Sequence, residues 1–275
     1  MNMKRAAGSG QGERNPFRLS VTGIDGAGKD TITKLMLQKA SADFDVIKLG
    51  RPAYAFTDGL PNQIYRRTTE GIDRLHQFGD RHYNPHFVTA ANALNVLVQS
   101  RILERHASKR NPTPDIIASS RDPRVDPAVY FSFYGSPLFS RNVGMEQRLS
   151  TMQRLTNVER NLIVLLKVDP RVAVERIDAR VEEEARIKAE SGQASAGMRD
   201  KSRHIHENVE DLTALASGYD HALSALQEVR STAVVEIDVT ERPIESVTNL
   251  AYLAVQEVMN GNVSLGEHLE FSEAA

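Results

Sequence analysis

The 275-residue chain carries 34 Lys and Arg against 36 Asp and Glu, a formal net charge of −2 and a pI of about 6.5. A balance so near neutral leaves no protein-wide positive field to hold nucleic acid or an anionic bilayer, so any bound anion must be met by a local cluster. With no cysteine the chain has neither disulfides nor thiol chemistry, which suits a reducing compartment, and the expected location is the cytoplasm.

At 40% hydrophobic and 25% charged residues the composition is that of an ordinary globular protein. The opening MNMKRAAGSGQGERN lacks an apolar core, so residues 1–16 read as a flexible tail and not as a signal segment. The longest apolar run, Leu162 to Val168, is far too short to span a bilayer.

The first element is the most informative. Phe17 to Leu37, FRLSVTGIDGAGKDTITKLML, is a short apolar run, a glycine-rich turn ending in lysine, and an amphipathic segment. It reads as strand, phosphate-binding loop and helix. The pattern is G-x-x-x-x-G-K-[ST] with one departure, Asp30 in place of the hydroxyl residue, followed by Thr31. Gly23, Gly26 and Gly28, with Ala27 between the last two, would let the backbone turn its N–H groups toward phosphate, and Lys29 would reach the outer phosphates. Asp30 and Thr31 are the candidate Mg²⁺ contacts. A carboxylate at position 30 can ligate the metal, or it can act as a helix-start charge while Thr31 serves the metal.

Four further short Val- and Ile-rich segments read as buried strands: Asp45 to Leu49, Asp115 to Ala118, Asn161 to Val168 and Ala233 to Val239. Helical patterns alternate with them, which predicts an α/β three-layer sandwich: a mostly parallel five-stranded sheet with helices on both faces. Ligands of such sheets bind beyond the carboxyl ends of the strands. The domain is expected over residues 17–260, with 261–275 a C-terminal tail.

The loop after the second strand contains Arg51, a candidate anion contact. From His86 to His106 the spacing predicts a helix whose apolar stripe is Phe87, Ala91, Leu94, Val98 and Ile102, with Arg101 beside it. The third strand runs into SSRDPRVDPAVYFSFYG, which clusters Ser120, Arg121, Asp122, Arg124 and Asp126 at the binding rim. After the fourth strand, Asp169 reads as an N-cap and Pro170 as the first helical residue, with Arg176 and Arg180 on one face. The small-residue segment Ser191 to Asp200 lies between charged helical stretches and suggests a helical lid over about residues 181–203.

This order of parts resembles the thymidylate kinase family of nucleoside monophosphate kinases, from about Phe17 to Met259. GIDGAGKDT is similar to that family's GxDGxGK(S/T)T, GRPAYAF to its REPGGT, and LNVLVQSR to its LFxADR. SSRDPRVDPAVYFSFYG is similar to DRYxxSxxAYQG, and LLKVDPRVAVERIDAR to LDVDPExALxRIxxR. Leu97 stands where the family stacks a phenylalanine on the base, Ser120 replaces an aspartate, and Ala53 a glycine, so base choice stays open.

The resemblance implies ATP and Mg²⁺ as cofactors and phosphoryl transfer to a nucleoside monophosphate, with dTMP to dTDP foremost. It implies Lys29, Arg121 and Arg180 as catalytic cations and Arg176 as an ATP contact. Asp25, Arg51, Leu97, Arg101 and Tyr130 would line the acceptor site, Asp25 on its sugar, and the family implies a homodimer. Two other readings stay open at this point: a deoxynucleoside kinase, and a nucleotide-binding regulatory module with little turnover.

Overall fold

The computed structural model describes residues 16–49, 63–82, 84–98, 113–135, 143–156, 161–190, 206–226, 232–262 and 268–270. The five expected strands form within a residue or two of their predicted limits: β1 Phe17–Thr22, β2 Val46–Leu49, β3 Ile116–Ser119, β4 Asn161–Lys167 and β5 Thr232–Asp238. A sixth, β6 His268–Glu270, lies within the stretch assigned to the C-terminal tail and pairs in parallel with β5, His268 opposite Val234. Three residues carry no period to read, and here the free edge of β5 decides the pairing.

All strand pairs are parallel and the order is β2-β3-β1-β4-β5-β6. Central strands in such a sheet are covered on both sides, which is why Leu162 to Leu166 of β4 is an unbroken apolar run and is wholly buried. Around the sheet lie helices α1 Lys29–Ala40, α2 Gln63–Arg81, α3 Pro85–Val98, α4 Val125–Tyr134, α5 Met145–Thr156, α6 Pro170–Glu190, α7 Val209–Leu226 and α8 Ile244–Met259.

The strand order places the site. From β1 the chain crosses to β2 on one side, whereas from β3 it crosses to β4 on the other. Right-handed crossovers then send α1 to one face and α4 and α5 to the opposite one. Helix α4 packs with α7, α5 and α3, and α1 with α8. The connections thus part between the carboxyl ends of β1 and β3, the position at which such a sheet forms its ligand crevice.

Two expectations need correction or limit. Phe87 and Leu94 of α3, assigned to its apolar stripe, are 37% and 42% exposed, the stripe's Ala91 and Val98 are buried together with Val88 and Thr89, and Ile102 lies outside the described residues. Phe87 instead meets Phe78 of α2 edge to face at 5.1 Å. Of the lid, residues 181–190 continue α6 as helix, and 191–203 lie outside the described residues. At the start of α6 the expected cap forms, with the Arg171 N–H donating to Asp169 Oδ1 at 2.7 Å.

Candidate functional site

The loop between β1 and α1 depends on glycine for two separable reasons. Gly23 and Gly26 have φ of 138° and 85°, and a Cβ on either would lie 2.4 and 2.5 Å from the carbonyl oxygens of Leu166 and Ala173. Gly28, at φ 83°, would meet nothing within 4 Å. The first two therefore let the loop press against β4 and α6, while Gly28 turns the chain left-handed into α1 and faces open space. Gly26→Ala should lower the unfolding free energy by at least about 2 kcal/mol, since a positive-φ penalty is joined by a backbone collision. Gly28→Ala should cost about 1 kcal/mol, the φ penalty alone. Equal denaturation midpoints for the two variants would contradict this division.

Lys29, first in α1, is 7% exposed and its ammonium is held inside the loop, donating to Ile24 O at 2.8 Å and Asp25 Oδ1 at 3.0 Å. Asp25 is a meeting point. Its Oδ1 also takes Arg121 Nη2 at 3.3 Å, and its Oδ2 takes the Tyr130 hydroxyl at 3.4 Å and His206 Nε2 at 2.9 Å. Burial alone would push this carboxyl up, but Lys29, Arg121 and His206 outweigh it and hold it well below the ordinary carboxylate range. Burial in turn lowers the Lys29 ammonium, against the pull of Asp25. For Arg121, burial is outweighed by Tyr130, Asp25 and Asp126, which keep it firmly protonated. Its guanidinium also lies 5.7 Å from the centre of the Tyr130 ring.

Behind Arg121 stands a second carboxylate, Asp126 of α4. It accepts from Arg121 Nη1 at 3.4 Å, the Thr22 hydroxyl at 2.6 Å, the Tyr219 hydroxyl at 2.9 Å and the Asp122 N–H at 2.7 Å. Burial pushes its carboxyl up in spite of those partners. Asp126 thus ties the ends of β1 and α4 and the middle of α7 to the cation that touches Asp25.

The neighbouring Asp122 and Arg124 face the other way, into the core, and neither exposes any side-chain surface. Asp122 takes the N–H groups of Arg124 and Val125 at 2.8 and 2.9 Å, capping α4, and Asn161 Nδ2 at 2.8 Å. Arg124 reaches Asp122 at 3.4 Å, Gln153 at 2.7 Å and Thr232 at 3.1 Å. Their alternating charges belong to a structural tie, and Asp122 offers nothing to a metal in the crevice.

Of the residues predicted from sequence, Gly23, Asp25, Gly26, Ala27, Gly28, Lys29, Arg121 and Tyr130 come together at the crevice. Asp30 and Thr31 stand exposed in the first turn of α1, their side chains turned to no hydrogen-bond partner among the described residues. Arg176 leans on the end of β5, donating to Val239 O and Thr240 O at 2.8 and 2.9 Å. Arg180, 47% exposed, pairs with the buried Glu207 at 3.3 Å. Leu97 lies in the last turn of α3. Arg51 and Arg101 lie outside the described residues.

Sequence reasoning missed His206, one of eight histidines, which no local pattern sets apart. Among the described residues no group of three His, Asp or Glu forms a metal cage, and no helix is long and apolar enough to cross a membrane. No protein-family model matches the chain, and neither does any curated protein.

Proposed function

We propose that the chain is a Mg²⁺-dependent P-loop kinase that transfers the γ-phosphoryl group of ATP to a nucleoside monophosphate, dTMP foremost. The observation that carries this reading is the glycine loop of positive φ delivering Lys29 to the mouth of α1, beside a crevice where Arg121 supplies a second cation. Phosphoryl transfer is mainly positioning and charge stabilisation, and a helix N-terminus, a lysine and an arginine supply both.

Asp25 favours a phosphate acceptor over a sugar hydroxyl. Both its oxygens are already engaged, Oδ1 by Lys29 and Arg121 and Oδ2 by Tyr130 and His206, so it is poorly placed to take the proton a nucleoside hydroxyl would have to give up. A monophosphate oxygen is already anionic and needs no proton removed. The oxygens of Asp30 and Thr31 suit Mg²⁺, which keeps several waters and binds chiefly through substrate phosphates, so a full protein cage is not required. The ion would neutralise charge developing between the β- and γ-phosphates. Arg51 and Arg101 remain the candidate acceptor-phosphate contacts by resemblance.

An ADP-release assay with ATP across a panel of nucleosides and nucleoside monophosphates tests the reading. Release that depends on a monophosphate supports it; release with nucleosides alone would move the assignment to a deoxynucleoside kinase. If Asp30 contacts the metal, Asp30→Ala should raise the Mg²⁺ needed for half-maximal turnover about fivefold, and Asp30→Ser should retain activity. An unchanged Mg²⁺ titration in Asp30→Ala would transfer that role to Thr31.

A further inference from the structure

Four side chains meet on the Asp25 carboxylate, and His206, which reaches it from a distant stretch of chain, plays no part in the mechanism above. The shortest of its hydrogen bonds, 2.9 Å, comes from His206, in the turn that enters α7. A carboxylate oxygen can only accept, so Nε2 carries the proton. The other ring nitrogen, Nδ1, is bonded to the Tyr134 hydroxyl of α4. The ring is buried and stands edge-on to Tyr130 and Tyr134, with centroids 5.4 and 5.9 Å away. The next residue, Glu207, is buried too and engages Arg180 of α6. An imidazole held at both nitrogens and packed on its edges cannot swing, so its N–H is a fixed pointer.

That pointer acts on a carboxylate whose other oxygen touches Lys29. Asp25 Oδ2 is steered by His206, and the rotation this imposes decides where Oδ1 stands between Lys29 Nζ and Arg121 Nη2. We propose that His206 is a positioning residue, which through Asp25 aligns the loop lysine and couples that alignment to the seating of the turn that enters α7. Its catalytic consequence rests on the phosphotransferase reading; its effect on Lys29 does not.

The test therefore has two arms. In the ligand-free protein, Lys29 acylation by an amine-reactive ester is followed by peptide mapping, with exposed Lys34 on the same helix as internal standard. His206→Ala should raise the Lys29 rate about fivefold relative to Lys34, whereas His206→Gln, which keeps an N–H donor of similar reach, should stay within about twofold of wild type. An unchanged Lys29 rate in His206→Ala overturns the proposal. So does an equal rise in both variants that follows their melting temperatures, because that is what a merely structural histidine would give.

In the second arm, His206→Ala should lower kcat about tenfold with KM for ATP changed less than about threefold, and His206→Gln should recover most of the loss. A wild-type chain that transfers phosphate to no acceptor would sink the kinase reading, while the acylation result would still judge His206.

Discussion

Lys29→Ala is expected to lower kcat/KM by about a thousandfold, close to 4 kcal/mol of transition-state stabilisation, while the protein still folds. The ammonium is the only cation in the loop and, on the proposed function, the charge it would bring to the phosphates; Lys29→Arg should not rescue it, since a planar guanidinium does not fit a point-charge site. The fold should survive because Asp25 keeps Arg121, Tyr130 and His206 after the lysine is gone. Turnover and thermal melting measured on one preparation check both halves. Near-wild-type turnover in Lys29→Ala would remove the loop from the mechanism.

The largest loss of stability is expected beside Arg121, in a stretch where the sequence suggested chemistry. Asp122→Ala should cost about 3–5 kcal/mol of unfolding free energy, because it strands the fully buried Arg124 guanidinium without its counter-charge. It also leaves the N–H groups of Arg124 and Val125 and the Asn161 amide without their acceptor. Chemical denaturation gives the magnitude. In protein that remains folded, the Mg²⁺ dependence of turnover should be unchanged, since the Asp122 carboxylate is closed inside the core; a shifted Mg²⁺ requirement would contradict that placement.

Those two residues also show how far the sequence could be read. The sheet was legible because a buried parallel strand must be apolar on both faces, and a run such as LIVLLKV, too short to cross a bilayer, has the length and composition of such a strand. The loop was legible because its glycines are demanded by backbone geometry, as the contacts at Gly23 and Gly26 bear out. Side-chain direction was not. Asp122 and Asp126 share one Arg-and-Asp-rich stretch, yet Asp122, before α4, faces the core and Asp126, in its first turn, backs Arg121, a division set by partners over 30 residues away.

His206 was silent for the same reason, since its meaning lies in Asp25, 181 positions earlier. Phe87 and Leu94 failed differently: helical spacing defines a face, but the packing of α2 against α3 selects which face is buried, and it selected that of Val88 and Ala91. Arg176 and Arg180 carried a mechanistic expectation from resemblance, and in this structure their guanidinium groups rest on the Val239 and Thr240 carbonyls just past β5 and on Glu207.

The central claim is transfer of a phosphoryl group from ATP to a monophosphate, and the most direct measurement follows that group. The chain is incubated with Mg²⁺, dTMP and ATP labelled at the γ-phosphate, and the nucleotides are separated. Label is expected in dTDP, appearing only with Mg²⁺ present and about a thousandfold more slowly with Lys29→Ala. Label that stays in ATP, or passes to a nucleoside when a nucleoside replaces dTMP but never to any monophosphate, would contradict it.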